Sequence, residues 1–273
     1  MIIESEVLRI LKSKRTIFFI CVMLIIPIID LCININSVYG DYFTHREAYK
    51  YGLSSHMIMA PAIASFLSGT SQGHIPQMLL IWVLPLYLMI IYSDSYIQER
   101  KVGYNVIIFS QVSRKKIVTT RLSISFLVPF IISFVSMLLN FLLANIVFMG
   151  GEDLHGAQFM LGTGDMDSFR ELCYNHLNLT YCIYIVVYSI IAGGVGLLCT
   201  CISFLIPQYK IAYPVAFLVW MGQVIAPYSI TFAIQPFIEY GPEYFIPAIM
   251  IFLAILLCTM IIAIKYKVGY DEI

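Results

Sequence analysis

Apolar residues run along this chain in long blocks separated by short polar stretches, and the blocks have the length a helix needs to cross hydrocarbon. About 20 residues of helix span roughly 30 Å of bilayer core. Six blocks qualify as spans, near 16–38, 75–93, 122–149, 178–206, 211–229 and 244–264. The first carries Asp30 toward its far end, whereas the second and third are uncharged. Two further apolar stretches do not fit. Residues 57–73 are interrupted by Pro61, Ser68, Gly69 and Ser71, and residues 230–238 are too short to cross. Both are expected as interfacial or re-entrant pieces, tolerated where protein covers their backbone. Counting them as crossings gives seven or eight spans, the alternative to six.

Ahead of the first span the period changes. Ile3, Val7, Ile10 and Leu11 fall on one helical stripe, with Glu4, Glu6, Arg9 and Lys12 largely off it. Residues 1–15 therefore predict an amphipathic helix lying in the membrane interface. The other reading is a basic terminus that only sets topology. The apolar run 16–29 imitates a signal peptide, but no small-residue cleavage site follows, so the first span is expected to stay.

Composition supports lipid as the solvent. Hydrophobic residues make up 60% and charged residues 12%, with a mean hydropathy of +0.87. Soluble domains sit nearer half apolar and a quarter charged. A water-soluble fold of this size would have nowhere to hide so much apolar side chain. The expected fold class is all-α integral membrane, a single transmembrane domain over residues 1–273. The net charge of zero points to no nucleic acid.

Charge placement gives an orientation. Arg9, Lys12, Lys14 and Arg15 precede the first span. Arg100, Lys101, Arg114, Lys115, Lys116 and Arg121 lie between spans two and three, Lys210 between four and five, and Lys265 and Lys267 after six. The opposite loops hold mainly acids, among them Asp41, Glu47, Glu152, Asp165, Asp167 and Glu171. The positive-inside rule places both termini in the cytoplasm, which an even number of spans requires, and the host membrane is expected to be the plasma membrane.

The search for catalytic chemistry is mostly negative. No phosphate-binding Gly-x-x-x-x-Gly-Lys-Ser/Thr loop occurs, so ATP hydrolysis by this chain is not expected. Gly193, Gly194 and Gly196 sit mid-span, where small residues serve close helix packing. No His-Glu-x-x-His appears, and the five histidines fall in or beside outer loops. The acidic stretch with Asp153, His155, Asp165 and Asp167 reads as a solvated loop, and Cys199 with Cys201 lacks the second pair that zinc needs. Neither metal nor cofactor is expected. Asp30, Asn140, Asn145 and Gln223 are the polar residues within spans. Interhelical hydrogen bonding is their first reading, and lining a transport path the second.

The segment 94–121 is the most informative. It runs Asp94, Tyr96, Glu99-Arg100, Gly103-Tyr104, an apolar turn through Ile107, then Ser113-Arg114 before the next span. This order resembles the signature of type-2 ABC exporter permeases. The resemblance implies a coupling helix that docks on a separate ATPase, with Tyr96, Glu99, Arg100, Gly103, Tyr104, Ile107, Ser113 and Arg114 as contact residues. ATP and Mg would then reside on the ATPase. It further implies a second permease chain, identical or paralogous, and an amphipathic or hydrophobic substrate such as a peptide, bacteriocin or drug. Val112 stands where the family often has proline before Ser-Arg. The competing expectations are a non-transporting sensor or assembly protein and an ion-coupled carrier.

Overall fold

The computed structural model describes residues 2–45, 54–68, 74–104, 110, 112–154, 168–238 and 240–269. Among them the chain forms helices and no β-strand, with one isolated bridge between Met59 and Asp153. In order these are α1 (Ile2–Lys12), α2 (Lys14–Ile35), α3 (His74–Leu88), α4 (Ser95–Val102), α5 (Arg114–Val147), α6 (Ser168–Asn175), α7 (Leu177–Leu205), α8 (Tyr209–Ile225) and α9 (Pro242–Gly269). A π-helical turn, Asn36–Gly40, carries α2 on into Asp41–Thr44, and another, Met89–Ser93, ends α3.

Five helical stretches are long and apolar enough to cross a membrane: Lys14–Thr44, Ile75–Ser93, Arg114–Val147, Leu177–Leu205 and Pro242–Gly269. The block expected as a span at 211–229 is α8, a helix of 17 residues, about 26 Å long at 1.5 Å per residue. It stops because Ala226, at ψ 154°, precedes Pro227, and the proline ring disfavours the helical conformation in the residue before it. The block expected at 122–149 starts at Arg114 instead, so the basic residues 114–121 are helix rather than loop.

Two of the prolines inside these helices free a carbonyl that a neighbouring helix covers. Pro27 offers no N–H to the Met23 carbonyl, and the Ser136 hydroxyl of α5 donates to it instead at 2.9 Å. Pro85 does the same to Ile81, whose carbonyl accepts the Trp220 indole N–H of α8 at 2.8 Å. In hydrocarbon no water can substitute, so neighbouring helices must supply these donors.

α7 runs through the centre, with most of its residues buried, while α9 is the least enclosed of the long helices. The glycines on α7 set its distance from α5. A Cβ on Gly196 would lie 2.4 Å from the Ser125 carbonyl oxygen, and one on Gly193 2.9 Å from that of Phe126. The expected packing role of this glycine run is what the backbones use.

The stretch 58–68 is neither a span nor a surface piece. It enters the bundle as irregular chain, with Met59, Ile63, Phe66 and Leu67 fully buried. Hydrogen bonds from Ala60 N–H to the Asp153 carbonyl and from Asp153 N–H to that of Ile58, both 2.9 Å, tie its entrance to the chain after α5. Deeper in, side chains from four helices satisfy its backbone. Asn34 donates to the Ala64 carbonyl at 2.9 Å, and Asn140 accepts the Phe66 N–H at 3.0 Å. The Tyr181 hydroxyl accepts the Leu67 N–H at 3.0 Å, and Gln77 donates to the Phe66 carbonyl at 2.9 Å. Non-helical backbone at this depth is stable only with such partners. The second short stretch likewise folds inward, burying Ile230, Ala233, Ile234 and Phe237 around a single turn, Thr231–Ile234.

Candidate functional site

The charged residues between α3 and α5 converge with those of α1 on one end of the bundle. α4 begins directly after Asp94 and ends at Gly103, whose φ of 74° closes the helix in the left-handed conformation. Its N–H returns to the Arg100 carbonyl at 3.2 Å. A residue with a Cβ pays strain there, which explains glycine.

The inward face of α4 carries Tyr96, Ile97 and Glu99, all buried. Glu99 is ion-paired on one side with Arg9 of α1 and on the other with Arg121 of α5. Arg9 also pairs with Glu6, and Arg121 Nε lies 3.7 Å from the Glu6 carboxylate. The two carboxylates and two guanidinium groups form a closed, charge-balanced ring. Arg121, with only 3% of its side chain exposed, is the buried member that most needs these partners. Aromatic rings floor the ring of charges: the Arg9 guanidinium lies 5.6 Å from the Tyr92 centroid and that of Arg121 5.7 Å from Tyr96. Tyr96 also packs edge-on against Phe204 at 4.9 Å, and the Lys267 ammonium of α9 stands 4.8 Å from its centroid. α1 and α9 therefore both meet α4.

A second group anchors the start of α4. Asp94 accepts from Arg15 at 2.8 Å and from the Tyr213 hydroxyl at 2.7 Å, linking α2, α4 and α8. Lys101 Nζ sits 4.4 Å from the Tyr209 ring centroid of α8. Burial pushes the carboxyls of both Glu6 and Asp94 above their usual range. For Glu6 the pull of Arg9 and Arg121 opposes the rise without cancelling it. For Asp94 the hydrogen bond from Tyr213 and the Arg15 charge do the same.

No protein-family model and no solved structure matches the chain. Over 272 residues it is 32% identical to the uncharacterized protein YybM of Bacillus subtilis (strain 168), an alignment covering 98% of this chain and 99% of that one. The chain belongs to the YybM family.

In this YybM-family chain the residues expected on a docking surface divide between two faces of α4. Tyr96 and Glu99 point into the protein, so neither offers its side chain to a partner, because the ion pairs and ring contacts above occupy them. Arg100, Gly103 and Tyr104 are exposed, as is Ser113, which precedes the first turn of α5, while Arg114 is half-buried. Ile107 lies outside the described residues. The outward face gains Val102, which is 82% exposed although apolar.

The polar residues expected within spans also separate. Asn140 spends its amide on the backbone, donating to the Pro27 carbonyl at 2.8 Å and accepting from Phe66. Asn145 turns back onto its own helix, donating to the Phe141 carbonyl at 2.8 Å, and Gln223 does likewise toward Val219 at 3.2 Å. Asp30 is fully buried on α2. The amphipathic α1 departs from its expected division, since Glu6 and Ile10 face inward while Val7 and Leu11 are exposed. Sequence reasoning missed Glu6, Arg9, Asp94 and Arg121 as a set. The available signal was Arg121: it continues the buried line of Val118, Leu122 and Ser125 on α5, and a cation on a core face needs an anion.

Proposed function

We propose that this chain is the membrane-spanning subunit of an ATP-driven exporter whose ATPase is a separate polypeptide. The observation that carries the reading is the two-sidedness of α4. One face is bolted by Glu99, Asp94 and Tyr96 to α1, α2, α5, α8 and α9, while the other presents Arg100, Val102 and Tyr104 outward. A greasy contact flanked by charge is what an external motor needs to grip, and the buried ionic ring is what would spread its push. Gly103 and Arg114, with Ser113, belong to the same outward segment, and Ile107 is assigned there from the resemblance alone.

In this reading the bundle crosses the plasma membrane six times, with α8 as the short crossing and both termini in the cytoplasm. Parity supports it. Five crossings alone would put the ends on opposite faces, whereas α1 and Lys267 both touch α4 and its surroundings. A second permease chain completes the path, and ATP favours one arrangement of the pair over the other. The substrate is amphipathic or hydrophobic. A second reading, ion-coupled carriage, has Asp30 in its favour, because a buried carboxylate within a span is a functional candidate by default.

Purification from the native host in mild detergent, with mass spectrometry of what accompanies the chain, tests the proposal. An ATPase should co-purify, and Val102→Asp with Tyr104→Ala should release it while membrane insertion persists. Retention of the ATPase by that variant would remove α4 as the grip. Absence of any ATPase from the wild-type preparation would remove the exporter reading altogether.

A further inference from the structure

At the basic end of the bundle a groove of about 500 Å³ opens sideways between α5, α7 and α9. Its walls are apolar, built from Leu122 and Phe126 of α5, Leu197 of α7, and Met260 and Ile264 of α9. Two hydroxyl-bearing residues, Thr119 and Ser123, line the α5 wall one helical turn apart. One turn further, toward the start of α5, stand Lys115 and Lys116, both exposed. The Thr119 hydroxyl fixes that register by donating to the carbonyls of Lys115 and Lys116 at 2.9 and 3.1 Å. No acidic side chain occupies this first turn of α5, and the charged residues that follow Ile264 on α9 are again basic, Lys265 and Lys267.

The slot thus grades from hydrocarbon-like to hydroxyl to cationic over three turns of α5, in the same order as an anionic phospholipid grades from tail through ester to phosphate. We propose that this groove binds one anionic phospholipid, with an acyl chain against Leu122, Phe126 and Met260 and its phosphate against Lys115 and Lys116. A free phosphate would leave the apolar walls unfilled, and a neutral lipid would leave both lysines without an anion. Basic pockets between membrane helices recognise anionic headgroups by this combination, each lysine contributing about fivefold in affinity. The site does not depend on the exporter reading. It requires only that the helices stand in a bilayer.

The test is native mass spectrometry of the purified full chain, titrated with phosphatidylglycerol, phosphatidylcholine, glycerol phosphate or a fatty acid. Phosphatidylglycerol should be retained as one tight adduct, and neither glycerol phosphate nor fatty acid should compete at equal concentration. Lys115→Ala with Lys116→Ala should weaken phosphatidylglycerol by about twenty-five-fold, two fivefold steps, and leave phosphatidylcholine unchanged. Ser123→Trp, which fills the slot from an exposed position, should abolish the adduct with both lysines intact. Leu218→Trp, on the outer face of α8, should not. Equal loss of both lipids in the lysine variant would mark annular packing only and overturn the proposal. So would retention by Ser123→Trp, or displacement by glycerol phosphate, which would assign the lysines to a free anion.

Discussion

The ionic ring at α4 predicts a non-additive response to losing Arg121. Arg121→Met leaves Glu6 and Glu99 sharing Arg9 as the one remaining guanidinium of the ring, in a site where Arg121 was 3% and Glu99 9% exposed. Removing one partner of a buried pair costs about 3–5 kcal/mol, most of it the penalty of the charge left behind. In a chain of this size that corresponds to a fall in melting temperature of roughly 10 °C. The double variant Glu99→Met, Arg121→Met restores the balance, because Glu6 and Arg9 still neutralise each other. It should therefore recover at least half of the loss and be more stable than Arg121→Met alone. Melting followed by the surviving monodisperse peak in detergent, for wild type, both single variants and the double, supplies the cycle. Additive losses, with the double variant the least stable of the four, would refute the ring as a coupled unit.

Other consequences follow from the same geometry. Asn140→Ala deprives the Pro27 carbonyl and the Phe66 N–H of their partner in a water-free setting and should cost about 1–3 kcal/mol. Asn145→Ala, which loses a contact within its own helix, should cost well under 1 kcal/mol in the same melt. Gly196→Val should prevent α5 and α7 from approaching and abolish the folded peak, since even a Cβ meets the Ser125 oxygen at 2.4 Å. For Glu6 the sign of the pH effect is fixed by its raised carboxyl. The folded chain holds that proton at pH values where the unfolded chain, near the ordinary value of 4.5, has released it. Stability from this group is thus full below 4.5 and declines as pH rises through the folded value. Glu6→Gln should gain on wild type as pH rises above 4.5, and a difference that stays constant with pH would contradict the assignment.

Much of this architecture is legible in the residues because lipid enforces it. Blocks of apolar residues become helices wherever no water can serve the backbone, so α3 and α7 fall close to their expected limits. The lower boundary of α5 was not legible, because its first turns are mostly basic and polar and are pinned at Arg121 by Glu99 and Glu6, residues distant in the chain. Pro61 and Ser68 marked 58–68 as non-helical, but not its burial, since its partners Asn34, Gln77, Asn140 and Tyr181 are scattered over four helices. Glu99 shows where a motif misleads. The resemblance turned it outward toward another protein, whereas Arg9 and Arg121 claim it from within. An acid in an exposed-looking turn reads as surface until the cations facing it are known.

The indole of Trp220 plugging the gap left by Pro85 has a mechanical corollary. The proline gap of α3 and the position of α8 share one atom pair, so drawing the two helices apart would strand the Ile81 oxygen in oil. Any rearrangement that spares that oxygen must move both as a linked pair, and with two tryptophans in the chain the emission of this one offers a native gauge of whether they travel together.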